Sequence, residues 1–203
     1  MNFRYKFSIV LILLGLIAAI MSFRDPQKSG TRPQEILDIL LNEKNTFSPD
    51  QLAKFVIDED SSIQIVDIRT KEEFQKRSIP GALNIPFKDF FDPAYESILD
   101  TRSLKTILYE DNDLVSTQAL ILAMQAGYKN TYFIKGGLAA WDSIVMHSEF
   151  KGEKITPKEN AVFEVRYKAR RLFNEWNALP DSLKAGFYAA KHKKEKALVG
   201  GCE

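Results

Sequence analysis

"IQIVDIRTKEEFQKRSIPGALNIP", residues 63–86, decides the fold. Its first six residues are apolar and β-branched apart from Gln64 and Asp67, which predicts a buried strand. Thr70 and Glu73 have capping-box spacing, so a short helix starts directly behind that strand. "GALNIP" (81–86) holds a second short strand. A strand passing into a helix and then into another strand within so few residues is the unit of a parallel α/β sheet.

The pattern continues on both sides. "KTILY" (105–109) predicts a strand, and "STQALILAMQAG" (116–127) a helix ended by Gly127 in a left-handed cap. "TYFIKGG" (131–137) predicts a fourth strand, with a short helix in "LAAWDSI" (138–144). Upstream, Ile36, Leu37, Leu40 and Leu41 have helical spacing, and Ser48-Pro49-Asp50-Gln51 is a second capping box opening a helix through Phe55. Strands alternating with helices predict a parallel sheet covered on both faces, with ligands approaching beyond the carboxyl ends of its strands. The loop after Tyr109 lies there.

From residue 156 the character changes. Thr156-Pro157-Lys158-Glu159 opens a long helix with an apolar stripe of Val162, Val165, Ala169, Leu172, Phe173 and Trp176. Such a stripe docks on the domain or on a partner helix. Leu179-Pro180-Asp181 breaks the helix, a shorter one covers Leu183 to Ala190, and "KHKKEK" (191–196) is a basic tail. That tail is either a solvated helix end or a contact for anionic lipid.

Composition narrows the function. Net charge is +1, which gives no overall field for nucleic acid, and none is expected as a partner. The sole cysteine is Cys202, which excludes an internal disulfide and any zinc site built on cysteines. Residues Phe7 to Phe23 are apolar throughout and would span about 26 Å as a helix, close to the hydrocarbon core of a bilayer. The run ends Ile20-Met21-Ser22-Phe23, a poor cleavage site, so a single-pass anchor in membrane lipid is preferred to a cleaved signal. Cationic residues flank the span almost evenly; the short basic leader favours a soluble part on the non-cytoplasmic side of a bacterial envelope. Signal cleavage would instead release the protein to the periplasm.

Two separated stretches carry a family resemblance. The segment with Asp67, Arg69, Glu73-Phe74 and Ile79-Pro80-Gly81-Ala82 resembles the opening of a rhodanese homology domain. "AGYKNTYFIKGGLAAW", with Gly136, Gly137 and Trp141, resembles its closing signature. The resemblance implies an α/β fold over about residues 48–144 and a sulfane-sulfur site at the central strand's end. There a cysteine persulfide would sit in a loop whose N–H groups hold the anion at a helix start.

Aligned on Tyr109, the cysteine position is Glu110, and the loop runs Glu110, Asp111, Asn112, Asp113, Leu114, Val115. Val115 stands at the arginine position and Ser116 keeps a hydroxyl. A carboxylate carries no persulfide, and two unit charges about 5 Å apart at an effective dielectric near 20 repel by about 3 kcal/mol, so thiosulfate is disfavoured. No catalytic residue, cofactor or metal is expected. Glu110, Asp111 and Asp113 are the candidate binding residues for an unidentified, basic protein partner. Cys202 is the candidate thiol for a competing function in sulfur or thiol transfer. The organisation expected is a membrane or signal segment (1–23), a linker (24–33), a rhodanese-like domain with preceding helices (34–150), and a helical extension with basic tail (151–203).

Overall fold

The computed structural model describes residues 12–15, 32–42, 45–150 and 156–187. The chain divides into two units, Met1–Gly30 and Thr31–Glu203. In the first, residues 12–15 are helical; the rest of the expected anchor Phe7 to Phe23 lies outside the described residues. Among those described, no helix is long and apolar enough to cross a membrane. The basic tail and Cys202 also lie outside them.

The second unit is built on a parallel sheet. In chain order its elements are α1 (Pro33–Asn42), β1 (Thr46–Phe47), α2 (Pro49–Ile57), β2 (Ile63–Asp67), α3 (Lys71–Lys76) and β3 (Leu83–Asn84). A 3₁₀ turn (Phe87–Asp89), α4 (Pro93–Leu99), β4 (Lys105–Tyr109), α5 (Asp113–Gln125) and β5 (Thr131–Ile134) follow. The series ends with α6 (Gly137–Trp141), a π turn (Asp142–Met146) and α7 (Pro157–Ala178). The strands lie in the order β1-β5-β4-β2-β3, and every pair is parallel.

Strand periodicity sorts the core into two layers. Ile63 and Ile65 of β2, Ile107 and Tyr109 of β4 and Ile134 of β5 face one layer, with Leu52 and Val56 of α2 and Leu138 and Trp141 of α6. Val66, Leu108 and Phe133 face the other, with Leu99 of α4 and Ala119, Leu120 and Ala123 of α5. Buried Gln64 is satisfied: its amide donates to the Thr106 hydroxyl at 2.7 Å and to the Ile98 carbonyl.

All three capping boxes form, at Ser48–Gln51, Thr70–Glu73 and Thr156–Glu159, and Gly127 takes the expected left-handed conformation at φ +92°. Two elements go beyond the sequence reading. Strand β1 has only two residues and no readable alternation, and it pairs with β5 at the sheet edge. Helix α4 is started by the Asp92 side chain with Pro93 behind it, a local start signal.

The stripe on α7 does dock on the domain. Ala169 and Phe173 lie in the first core layer, with Val165 and Leu172 packed against it, whereas Val162 at the helix start stays exposed. The Phe173 ring meets Trp141 at 6.1 Å. The helix is therefore a layer of the fold, and not only an extension beyond residue 150. Arg166 anchors it to α2, donating to both Asp50 oxygens at 2.6 and 2.7 Å. This pair is substantially solvated, so we expect Arg166→Gln to cost only about 0.5–1 kcal/mol in urea denaturation. A larger loss would mean that the pair, and not the apolar stripe, holds the helix.

Candidate functional site

The site forms where β2, β4 and β5 end together. At the end of β2 the Asp67 carboxylate is fully buried and Arg69 nearly so. The guanidinium holds the carboxylate in a fork, with Nε to Oδ1 at 3.0 Å and Nη2 to Oδ2 at 2.6 Å, and the Arg69 backbone N–H donates to Oδ1 at 2.9 Å. The sequence builds this locally. An aspartate at a strand end accepts from the backbone N–H two residues on, and the following arginine folds back over it.

Tyr109, at the end of β4, lies beneath. Its hydroxyl lies beside the Asp67 carboxylate and accepts the Ile79 N–H at 3.1 Å, and the guanidinium sits 5.6 Å from its ring centre. Asn84 of β3 closes the other side, donating to the Asp67 and Arg69 carbonyls at 3.1 and 3.0 Å.

Burial pushes the Asp67 carboxyl above its ordinary value; the Arg69 fork and the Tyr109 hydroxyl pull it part of the way back. Burial also opposes the Arg69 charge, but Asp67 more than offsets it and keeps the guanidinium firmly protonated. Burial raises the Tyr109 phenol well above its usual value, and the Asp67 charge beside it adds to that. All three groups are structural at neutral pH: a charged pair with a neutral phenol.

The loop after β4 is shorter than expected. Helix α5 starts at Asp113, capped by Asn112, so Asp113, Leu114, Val115 and Ser116 are helical and only Glu110, Asp111 and Asn112 remain outside. The six-residue loop expected from Glu110 to Val115 is thus corrected to a three-residue turn. The cause is Asn112, whose side chain accepts the Leu114 N–H at 2.9 Å and begins the helix three residues before Ser116. The Ser116 hydroxyl is buried and donates to the Asn112 carbonyl at 3.3 Å.

Each carboxylate of the turn and of the helix start behind it has an internal partner. Glu110 accepts the Asn112 N–H at 3.0 Å. Asp111 takes the Nη1 of Arg69 at 3.2 Å. Asp113 accepts the Gly136 N–H. The carbonyls are engaged as well, since Leu138 and Ala139 at the start of α6 donate to Glu110 and Asp111 at 2.8 and 3.1 Å. Two N–H groups that could hold an anion at this helix start are therefore satisfied by Glu110 and Asn112. Among the described residues no group of three or more His, Cys, Asp or Glu could hold a metal ion.

The structure thus brings Asp67, Arg69, Glu110, Asp111, Asn112, Asp113, Gly136 and Gly137 to one sheet end. It does not bring Trp141 there; that ring is a core residue packed on Phe173. Leu114 is exposed beside the turn and Asp111 faces solvent. Sequence reasoning missed the roles of Tyr109, Asn84 and the 77–79 segment. Asn84 could have been suspected, as an amide closing a strand beside the Asp67 end; the others follow only from packing.

The family model for the rhodanese-like domain matches residues 48–144. An uncharacterized protein of Buchnera aphidicola subsp. Schizaphis graminum is 29% identical over 121 residues, covering 57% of this chain and 81% of that protein. The solution structure of the rhodanese-like domain of an Anabaena sp. protein is 24% identical, with a TM-score of 0.45 over 56% of this chain and 89% of that one. A protein of unknown function from Rhodopseudomonas palustris, described as a possible tyrosine phosphatase, is 25% identical, with a TM-score of 0.47 over 56% and 91% of the two chains. The family match begins at the Ser48 cap and ends in the π turn behind Trp141, enclosing both sequence stretches that suggested it. Over residues 48–144 this chain is a rhodanese-like domain.

Proposed function

We propose that the chain is a membrane-anchored rhodanese-like protein without sulfurtransferase activity, whose turn after β4 binds a partner protein through a basic surface. The observation that carries this is the content of the turn. No thiol stands at the end of β4, and Glu110 and Asn112 themselves occupy N–H groups at the helix start. A persulfide needs a sulfur atom to carry it and free donors to hold its charge.

Binding fits the same geometry. Asp67 and Asp111 share the single charge of Arg69, which leaves the cluster net negative, and Glu110 and Asp113 add to it. The turn is held rigidly by its own hydrogen bonds, so a partner pays little ordering entropy there. Glu110 and Asp113 engage N–H groups through oxygen, and amides would keep such acceptors while removing charge.

Two measurements test the proposal. Purified full-length protein given thiosulfate and cyanide should form no thiocyanate above buffer, and turnover lost in Cys202→Ser would transfer the function to the tail thiol. Capture of partners from detergent-solubilised membranes should fall at least about tenfold when Glu110→Gln, Asp111→Asn and Asp113→Asn are combined, as expected where steering and pairing rest on charge. Unchanged capture by a variant of native thermal stability would remove the turn from the function.

A further inference from the structure

Helix α7 reaches the turn through a chain of polar contacts. Near its end, Asn177 makes both backbone hydrogen bonds of Ser78: its Oδ1 accepts the Ser78 N–H at 2.9 Å and its Nδ2 donates to the Ser78 carbonyl at 3.0 Å. The neighbouring Trp176 donates from Nε1 to the Ser78 hydroxyl at 3.2 Å. A third bond, from Asn177 Nδ2 to the Phe173 carbonyl at 2.8 Å, fixes the amide's orientation. Ser78 is buried and Asn177 half-buried, so the clamp is partly shielded from water.

The residues flanking Ser78 touch the buried pair and the phenol beside it. The Arg77 carbonyl accepts Arg69 Nη2 at 2.7 Å, and the Ile79 N–H donates to Tyr109. Arg77 is itself held by Asp142 at 3.0 Å. Arg69 then reaches Asp111 through Nη1. Asn177 is thereby linked to Asp111 through Ser78, its chain neighbour Arg77 and Arg69; the Ser78–Arg77 step is covalent and the others are hydrogen bonds of 3.2 Å or less.

We infer that Asn177 is a positioning residue for the turn after β4: it fixes the 77–79 segment, which sets the Arg69 guanidinium and through it Asp111. This rests on reading that turn as the binding site. Its consequence is that binding depends on a helix lying beyond the family's own 48–144 span. A guanidinium is planar with its donors in a rigid fork, so a shift of the Arg77 carbonyl at Nη2 must also turn Nη1 at Asp111.

Hydrogen exchange on the full chain in detergent tests this without any partner, so it fails independently of the binding reading. Asn177→Ala should speed exchange about tenfold both in peptides over 77–79 and in peptides over 110–116, where the Asn112 and Leu114 amides report the turn. Asn177→Asp, which keeps the acceptor for Ser78 but loses the donor, should fall between. In a cycle with Asp111→Ala, the effect of Asn177→Ala on 110–116 should shrink, because the link is already cut. Faster exchange over 77–79 with native rates over 110–116 would overturn the inference. If Asn177→Ala loosens β2 and β4 generally, Asn177→Asp decides by the same two peptides.

Discussion

Arg69→Met should destabilise the protein by about 3–5 kcal/mol at pH 8, and by clearly less at pH 5. The substitution keeps most of the side-chain volume and removes the partner of a fully buried carboxylate. An unpaired charge in that position is the costly outcome, since Asp67 would retain only the Arg69 backbone N–H and the Tyr109 hydroxyl. The dependence on pH follows from the direction of the Asp67 shift. Burial already holds its carboxyl above the ordinary value, so the folded state binds protons that the unfolded chain has released. The stability tied to the neutral carboxyl is complete below the unfolded value and is lost as pH rises through the folded one. Removing the guanidinium removes the strongest influence pulling Asp67 down, so this window extends upward in the variant. Urea midpoints at the two pH values, each taken as variant minus wild type, measure it. Adding Asp67→Asn should restore much of the loss and flatten the difference. Equal losses at pH 5 and pH 8 would show that packing, and not the stranded charge, sets the cost.

The fold was largely legible because its signals are local. The apolar runs at 63–68 and 105–109, the capping boxes and the glycine stop at Gly127 each act within a few residues, and the structure builds an element at every one. Strand β1 escaped because two residues carry no period, and its existence depends on β5, far along the chain. The site was legible in place but not in geometry. The residue order after Tyr109 places Glu110, Asp111 and Asp113 at the site, but the family's loop length does not hold for them. Asn112 is a strong helix start and shortens the loop. The contacts that close the site are long-range. Arg69 meets Asp111 across two strands, and Asn177 meets Ser78 across 99 positions. No periodicity announces such pairs.

Gly137→Ala should be the most damaging single methyl group in the domain, at about 3–4 kcal/mol. Two separate costs add. The residue has φ +56°, a conformation that disfavours any Cβ by about 1 kcal/mol. A Cβ there would also stand 2.4 Å from the Glu110 carbonyl oxygen, 2.7 Å from the Asp111 carbonyl carbon and 2.8 Å from the Asn112 nitrogen, all backbone atoms that no side-chain rotation can move aside. Relief requires α6 to withdraw from the turn, which breaks the bonds from Leu138 and Ala139 to the carbonyls of Glu110 and Asp111. Gly81→Ala separates the two costs, because φ is +76° there and a Cβ would meet nothing within 4 Å. It should lose only about 1 kcal/mol. Equal urea midpoints for the two variants would refute the close docking. A wide gap would establish that the start of α6 is pressed onto the acidic turn. The glycine pair would then serve to place two helix N–H groups on the turn's carbonyls, committing those donors to the protein itself.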